Sequence, residues 1–209
     1  MTDAADIAFM KRAVHLGLNQ MGRTWPNPSV GCVIVRNGAV IAEGATGDGG
    51  RPHAEETALA SLDGEAKDAT AYVTLEPCGH RSTAIPSCSE RLIAAGVTRV
   101  VYACADPSHL ASDIGPERMR MAGIQVEDGL MSDEGASLIA PFAHFLKTGL
   151  PLVKEGPCGV GFDREFVPEG GRDLRGELID WALQGYRHLY VEPGSELAGR
   201  LRHAGLLSE

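Results

Sequence analysis

The stretch VGCVIVRNGAVIAEG, residues 30–44, decides the architecture. Two apolar, β-branched runs flank Asn37-Gly38. That pair suits a type I′ turn, because both central residues must take positive φ. The spacing predicts a hairpin over 30–44. Upstream, residues 3–22 read as a helix, with Asp3 or Asp6 as cap and Phe9, Met10, Ala13, Val14 and Leu16 as its apolar stripe. Downstream the pattern alternates. A glycine-rich loop (45–51) precedes a helix opened by HAEETALASL, then a short buried strand AYVTLE (71–76). The helix SERLIAAG follows, ended by Gly96, then the strand VTRVVYACAD. A short helix near 116–122, a strand IQVED and a helix DEGASLIAPFAHFLKTG complete the run. An opening hairpin followed by alternating helices and strands predicts an α/β fold of three layers, α/β/α, around a mixed central sheet.

The composition shifts after Gly149. Residues 150–173 are rich in Gly and Pro with little regular pattern, followed by a helix (LRGELIDWALQG), a strand (YRHLYVE) and a helix (SELAGRLRHAG). About sixty residues make a small core. The expected division is 1–149 for the main domain and 150–209 for a small α/β appendage that packs on it or on another subunit.

The chain has 209 residues, a formal net charge of −9 and 44% apolar residues. That balance fits a globular protein and argues against nucleic-acid binding, which needs clustered Lys and Arg. No apolar run approaches the ~18 residues of a membrane span. The N-terminus lacks a signal-peptide pattern, so a cytoplasmic location is expected. Five cysteines in such a chain argue against a disulfide framework. Cys32 and Cys104 sit in strand-like runs and read as small buried hydrophobes, and Cys158 lies in a glycine-rich loop without an assigned role.

The chemistry concentrates in two segments. In RPHAEETAL (51–59), Glu55 and Glu56 suit the positive end of a helix dipole. A protonated histidine does not, so His53 fits better as a neutral, metal-bound side chain. In TLEPCGHRSTAIPSC (74–88), Cys78 follows a strand and Cys88 starts a helix. One imidazole and two thiolates form a three-ligand zinc set with a position left for water, the arrangement of a catalytic rather than a structural site. Zinc lowers the pKa of such a water toward about 7. Glu55, two residues from His53, is placed to move protons without being a ligand. The order His-x-Glu, Pro-Cys, Cys follows the zinc-deaminase template. Nine residues separate Cys78 from Cys88 where the usual spacing is two, which points away from nucleoside and polynucleotide deaminases.

At these residues the sequence resembles the deaminase part of the bifunctional riboflavin-biosynthesis deaminase/reductase family. The carriers are Met10, NPSVG (27–31), HAEETAL (53–59), TLEPCGH (74–80), PSC (86–88), Asp106-Pro107 and AGI (122–124). They span residues 6 to about 150. The resemblance implies a cytidine-deaminase-like fold and zinc on His53, Cys78 and Cys88, with Glu55 catalytic. The implied substrate is a pyrimidine ribose phosphate, diaminohydroxyphosphoribosylaminopyrimidine, deaminated with release of ammonia. By the family's pattern Asn27, His80 and Asp106 contact this substrate, as does the Ala54 region, and the protein is a homo-oligomer. Departures fall at Thr46, at Ser108-His109 and at STAIPSC (82–88). PLVKEG and LYVEPGSELAGRLRHAGLLSE resemble the two ends of the family's reductase domain, most of which is missing between them. Glu192-Pro193-Gly194 stands where the family has EGG, and Pro193 removes a backbone donor. The tail therefore reads as a degenerate reductase remnant without reductase activity. Two alternatives stay open: a zinc deaminase of another nucleobase or nucleotide, and a non-catalytic zinc-binding scaffold.

Overall fold

The structure is a computed structural model that describes residues 4–81, 85–108, 113–157 and 161–208. Asp3, His109 and Cys158 lie outside them. The first helix, α1 (Ala4–Gln20), is followed by the hairpin β1 (Gly31–Arg36) and β2 (Ala39–Ala45). Asn37 and Gly38 have φ of 53° and 74°, as the type I′ reading requires. Then come α2 (Ala54–Ala60), β3 (Thr70–Leu75), α3 (Cys88–Ala94), β4 (Arg99–Cys104), α4 (Ile114–Met121), β5 (Gln125–Asp128) and α5 (Ser132–Thr148).

The sheet order is β2-β1-β3-β4-β5. The pairs of β1 with β2 and with β3 are antiparallel, and β3-β4-β5 run parallel, so the sheet is mixed as expected. Residues alternate between its faces, as strand geometry demands. Cys32, Ile34, Ala71, Val73 and Val100 pack with Ala58, Leu59, Leu92 and Met119 of α2, α3 and α4. Val33, Val35, Tyr72, Val101 and Ala103 pack with Met10 and Ala13 of α1. Two glycines set the layer spacing. A Cβ on Gly31 would sit 1.9 Å from the Ala13 carbonyl oxygen, and one on Gly44 would sit 2.2 Å from that of Ala54. The backbones of α1 and α2 therefore rest directly on the hairpin, from opposite faces.

Asp6 is not a cap. It lies inside α1, where its carboxylate accepts from Arg99 and from the Tyr72 hydroxyl. Cys104 is half-buried, and its thiol donates to the Thr74 carbonyl.

The C-terminal segment has a second sheet, β6 (Leu152–Glu155), β7 (Arg164–Glu165) and β8 (His188–Val191), with order β6-β8-β7 and all pairs parallel. Helices α6 (Leu174–Leu183) and α7 (Glu196–His203) cover it. β6 and β7 correct the expectation of an irregular 150–173. β6 has four residues and β7 two, too short to carry a readable alternation. This unit has its own core of Leu150, Val153, Phe166, Leu178, Leu189, Val191, Ala198 and Leu201. It leans on the first unit through Tyr186 against Trp25 (ring centroids 4.6 Å apart) and through Arg187, 3.6 Å above the Phe145 ring.

Candidate metal centre and active site

Strand register gathers the candidate residues at one end of the large sheet. Gly31 pairs with Ala45, and Cys32 with Val73. The approach to β1 (Asn27), the exit of β2 (Thr46) and the exit of β3 (Glu76, Cys78) therefore lie together. The exit of β4 (Asp106) is beside them, because Leu75 pairs with Cys104. Ligands of open α/β sheets bind at the carboxyl ends of parallel strands.

α2 starts at Ala54, with His53 in extended conformation at its N-cap. The His53 backbone N–H donates to the Glu56 carboxylate at 2.9 Å. α3 starts at Cys88, behind Ser87, whose hydroxyl and backbone N–H exchange bonds with Glu90 in a capping box. The Cys88 backbone N–H donates to Cys78 Sγ at 3.3 Å, and the Ser89 N–H to the Cys78 carbonyl at 3.1 Å. The caps thus aim His53 and Cys88 at Cys78. His53 Nδ1 lies 3.3 Å from Cys88 Sγ and 3.9 Å from Cys78 Sγ. All three donor atoms fall within 4.8 Å of one another. Tetrahedral zinc with ordinary Zn–N and Zn–S lengths holds nitrogen and sulfur about 3.5 Å apart, so spacing and donor chemistry both fit this ion. Arg51 Nη1 lies 2.9 Å from His53 Nε2. With a metal on Nδ1 the proton sits on Nε2, and Arg51, which has only donors, has to turn away from it.

The electrostatics follow from burial and proximity. A hydrogen bond from the Cys88 thiol is the main reason that the Cys78 thiol is driven down, to about 3, with His53 and the Cys88 N–H adding to it. The same bond and burial hold the Cys88 proton, so the pair gives up one proton readily and the other with difficulty. Glu55 is 3% exposed, and burial raises its carboxyl above the usual range, against the pull of His53. A raised carboxyl suits a group that both takes and returns a proton near neutrality.

A cleft of about 220 Å³ opens over this centre, lined by Glu55, His53, Cys78, Asn27, His80 and Asp106 among others. Asn27 is fixed by its Nδ2, which donates to the Gly50 carbonyl at 3.0 Å. Gly50 has φ of +83°, and a Cβ there would meet Asn27 Nδ2 at 2.5 Å, so this turn admits only glycine. Asp106 accepts from the Ser108 N–H, and its carboxyl is raised by burial. Ala54 is fully buried beneath the cleft and does not line it. Thr46 lines the wall, but its hydroxyl is engaged by the Val30 backbone. A larger hollow of about 810 Å³ lies across the Cys78–Cys88 loop and contains neither Glu55 nor any of the three donors, so size alone is a poor guide here.

Three residues were missed at sequence level. Glu76, buried and with its carboxyl raised by burial, accepts the backbone N–H groups of Asp106 and Asp113 and so ties the loops after β3 and β4. Glu56, half-buried, and Arg81, buried, form an ion pair at 2.6 Å beside the cysteines. The TLEPC motif places Glu76 at a strand end, a signal for a loop anchor. No local signal marks the other two as a pair.

A sequence model of the cytidine and deoxycytidylate deaminase zinc-binding region matches residues 3–104. The riboflavin biosynthesis protein RibD of Escherichia coli is 44% identical over 149 residues, which are 71% of this chain and 40% of that protein. The diaminohydroxyphosphoribosylamino-pyrimidine deaminase of Buchnera aphidicola is 42% identical over 146 residues, 70% of this chain and 99% of that protein. The chain spans 40% to 49% of the length of the first RibD relatives it matches. Among solved structures, Acinetobacter baumannii RibD superposes with TM-score 0.80 at 25% identity, covering 97% of this chain and 84% of the other. The Thermotoga maritima deaminase/reductase gives 0.82 at 22%, covering 96% and 84%. The chain belongs to the RibD-type family of riboflavin-biosynthesis deaminases, and its fold is the cytidine-deaminase-like α/β/α sandwich.

Proposed function

We propose that this chain is a zinc-dependent hydrolytic deaminase that converts diaminohydroxyphosphoribosylaminopyrimidine to its amino-uracil product with release of ammonia. The observation that carries the reading is the meeting of three metal-type donors with one buried carboxylic acid in the wall of a cleft. His53 Nδ1, Cys78 Sγ and Cys88 Sγ hold the ion. Zinc, when bound, supplies a Lewis acid that makes water acidic enough to act near neutral pH. Glu55 takes one proton from the attacking water and gives it to the ring nitrogen, then carries the remaining hydroxyl proton to the departing amine. The new C–O bond replaces the C–N bond, and ammonia leaves. Asn27, His80 and Asp106 bind the ring and the ribose phosphate around this centre. Residues 1–149 form the deaminase domain. Residues 150–209 are the remnant of a reductase domain and contribute packing rather than nucleotide chemistry. The parallel β6-β8-β7 sheet is in keeping with that descent, and Pro193 interrupts the turn after β8.

Ammonia release from the pyrimidine substrate by zinc-loaded protein, without a nicotinamide cofactor, tests the reading. Glu55→Gln is expected to reduce kcat by about 10²–10⁴-fold with the fold and zinc content unchanged, the usual weight of a general acid/base. Full activity in that variant would remove Glu55 from the mechanism. Release from a nucleotide such as dCMP in place of this substrate would favour the second reading, a deaminase of another base, and point to Thr46 and Ser108 as the determinants.

A further inference from the structure

Next to the candidate ligands sits a cation that the deamination chemistry leaves without a task. Arg81 lies three residues after Cys78, yet its side chain is 2% exposed. Its Nη2 donates to Glu56 at 2.6 Å and to Cys88 Sγ at 3.5 Å. Glu56 is not its private partner. The same carboxylate accepts the His53 backbone N–H and pairs with Arg91 at 3.0 Å. Two guanidinium groups therefore share one carboxylate, and Arg81 is the deeper of the two. Arg81 Nε and Nη1 are buried without a hydrogen-bond partner among the described residues. A buried guanidinium so incompletely matched is costly unless further negative charge lies close by. The nearest source is the sulfur of Cys88, which becomes a full negative charge when the thiol deprotonates to ligate a metal.

We propose that Arg81 is a positioning residue of the metal centre. Through Glu56 it fastens the His53 backbone, and through Cys88 Sγ it supplies the hydrogen bond and positive charge that favour the metal-binding thiolate. With the Cys88 N–H on Cys78 Sγ, each of the two sulfurs then accepts from a protein donor. Outer partners of this kind orient ligands and typically change metal affinity by about 10–100-fold. Arg91 is the internal control, since it holds the same carboxylate but is 32% exposed and, among the described residues, bonds to Glu56 and the Pro86 carbonyl rather than to a sulfur. The inference rests on His53, Cys78 and Cys88 being the ligands, and the experiment separates the two claims.

The measurement is zinc affinity by chelator competition on full-length protein, with circular dichroism of the metal-free form as the check of folding. The near-ultraviolet thiolate bands of the cobalt-substituted protein give a second readout that involves no activity. Arg81→Met is expected to weaken zinc about 10–100-fold, and Arg91→Ala less than about threefold. Arg81→Lys keeps the charge but cannot serve Glu56 and the sulfur together, so it should weaken zinc severalfold and shift the cobalt bands. The Lys variant decides the matter if the Met variant does not fold. Wild-type affinity and unshifted bands in Arg81→Lys would overturn the proposal, as would equal losses in Arg81→Met and Arg91→Ala. Wild-type protein that binds no zinc, or a Cys88→Ser protein that binds it unchanged, would overturn the ligand assignment itself and the inference with it.

Discussion

The two sheets of this chain put most of their buried polar groups to different uses. At the end of the five-stranded sheet, Glu55 is buried in the wall of the cleft and Arg81 against the Cys88 sulfur, while Glu76 alone of the three ties backbone loops. In the three-stranded unit, the buried groups serve the unit's own backbone. Glu177 accepts the N–H groups of Glu169, Gly171 and Arg172. Asp163 accepts those of Arg187 and His188. The first arrangement places charge where a ligand can use it. The second closes loops that lack strand partners. Burial of a charged side chain thus marks function only where its bonds converge on open space rather than on neighbouring amides.

Packing separates the regions too, and glycine substitutions sharpen the contrast. Gly31→Ala drives a methyl into the Ala13 carbonyl and must lift α1 from the sheet. It should cost about 3 kcal/mol, roughly 6–12 °C in Tm for a chain of this size, read by calorimetry. A loss under about 1 kcal/mol would mean that α1 yields easily and that the large sheet is not the rigid partner.

The second test is pH. Burial pushes the His188 imidazole down to about 4, although its Nδ1 donates to the Gly161 carbonyl at 2.7 Å. An unfolded histidine takes its proton near pH 6.5. Between those values the unfolded segment binds a proton that the folded one refuses. Stability is therefore full above about pH 6.5 and falls as the pH drops toward 4, by roughly 2–3 kcal/mol. Amide protection factors in β8, corrected for the intrinsic pH dependence of exchange, should fall over that window while those in β3 hold. Asp163, whose carboxyl burial raises, titrates with the opposite sign, so His188→Gln is needed to isolate the effect. Equal acid sensitivity in β3 and β8 would erase the distinction between the units.

The smallest expected effect has the reverse sign. Gly199 lies exposed within α7, and a methyl added there would meet nothing within 4 Å among the described residues. Gly199→Ala should stabilise the small unit by about 0.5–1 kcal/mol, through helix propensity alone. The measurement is β8 amide exchange at pH 7, where a destabilisation would mean that α7 is covered by a partner.

The order of the elements in the first 149 residues was legible because hydrophobic period and turn chemistry are local signals. Asn37-Gly38 declared its turn, and the run from β3 to α5 follows the expected alternation. The grouping of His53, Glu55, Cys78 and Cys88 was legible too, since two short motifs in a fixed order carry it, and the structure brings those side chains together. β6 and β7 were not legible, for they are strands only because β8 lies between them. Nor was the bond of Asp6 to Arg99, which looked like a cap until the register of β4 placed a guanidinium 2.8 Å away.

The sequence by itself determined the order of the elements in the first 149 residues and the grouping of metal-type donors, because each rests on short local patterns. Only the tertiary structure decided which charges face which. Glu56 on a helix start and Arg81 in a loop both have the look of solvated residues in one dimension. They become a part-buried pair because α2 and the Cys78–Cys88 loop meet at the same end of the sheet, and hydrogen bonds act over ångströms while sequence spacing says nothing about that approach.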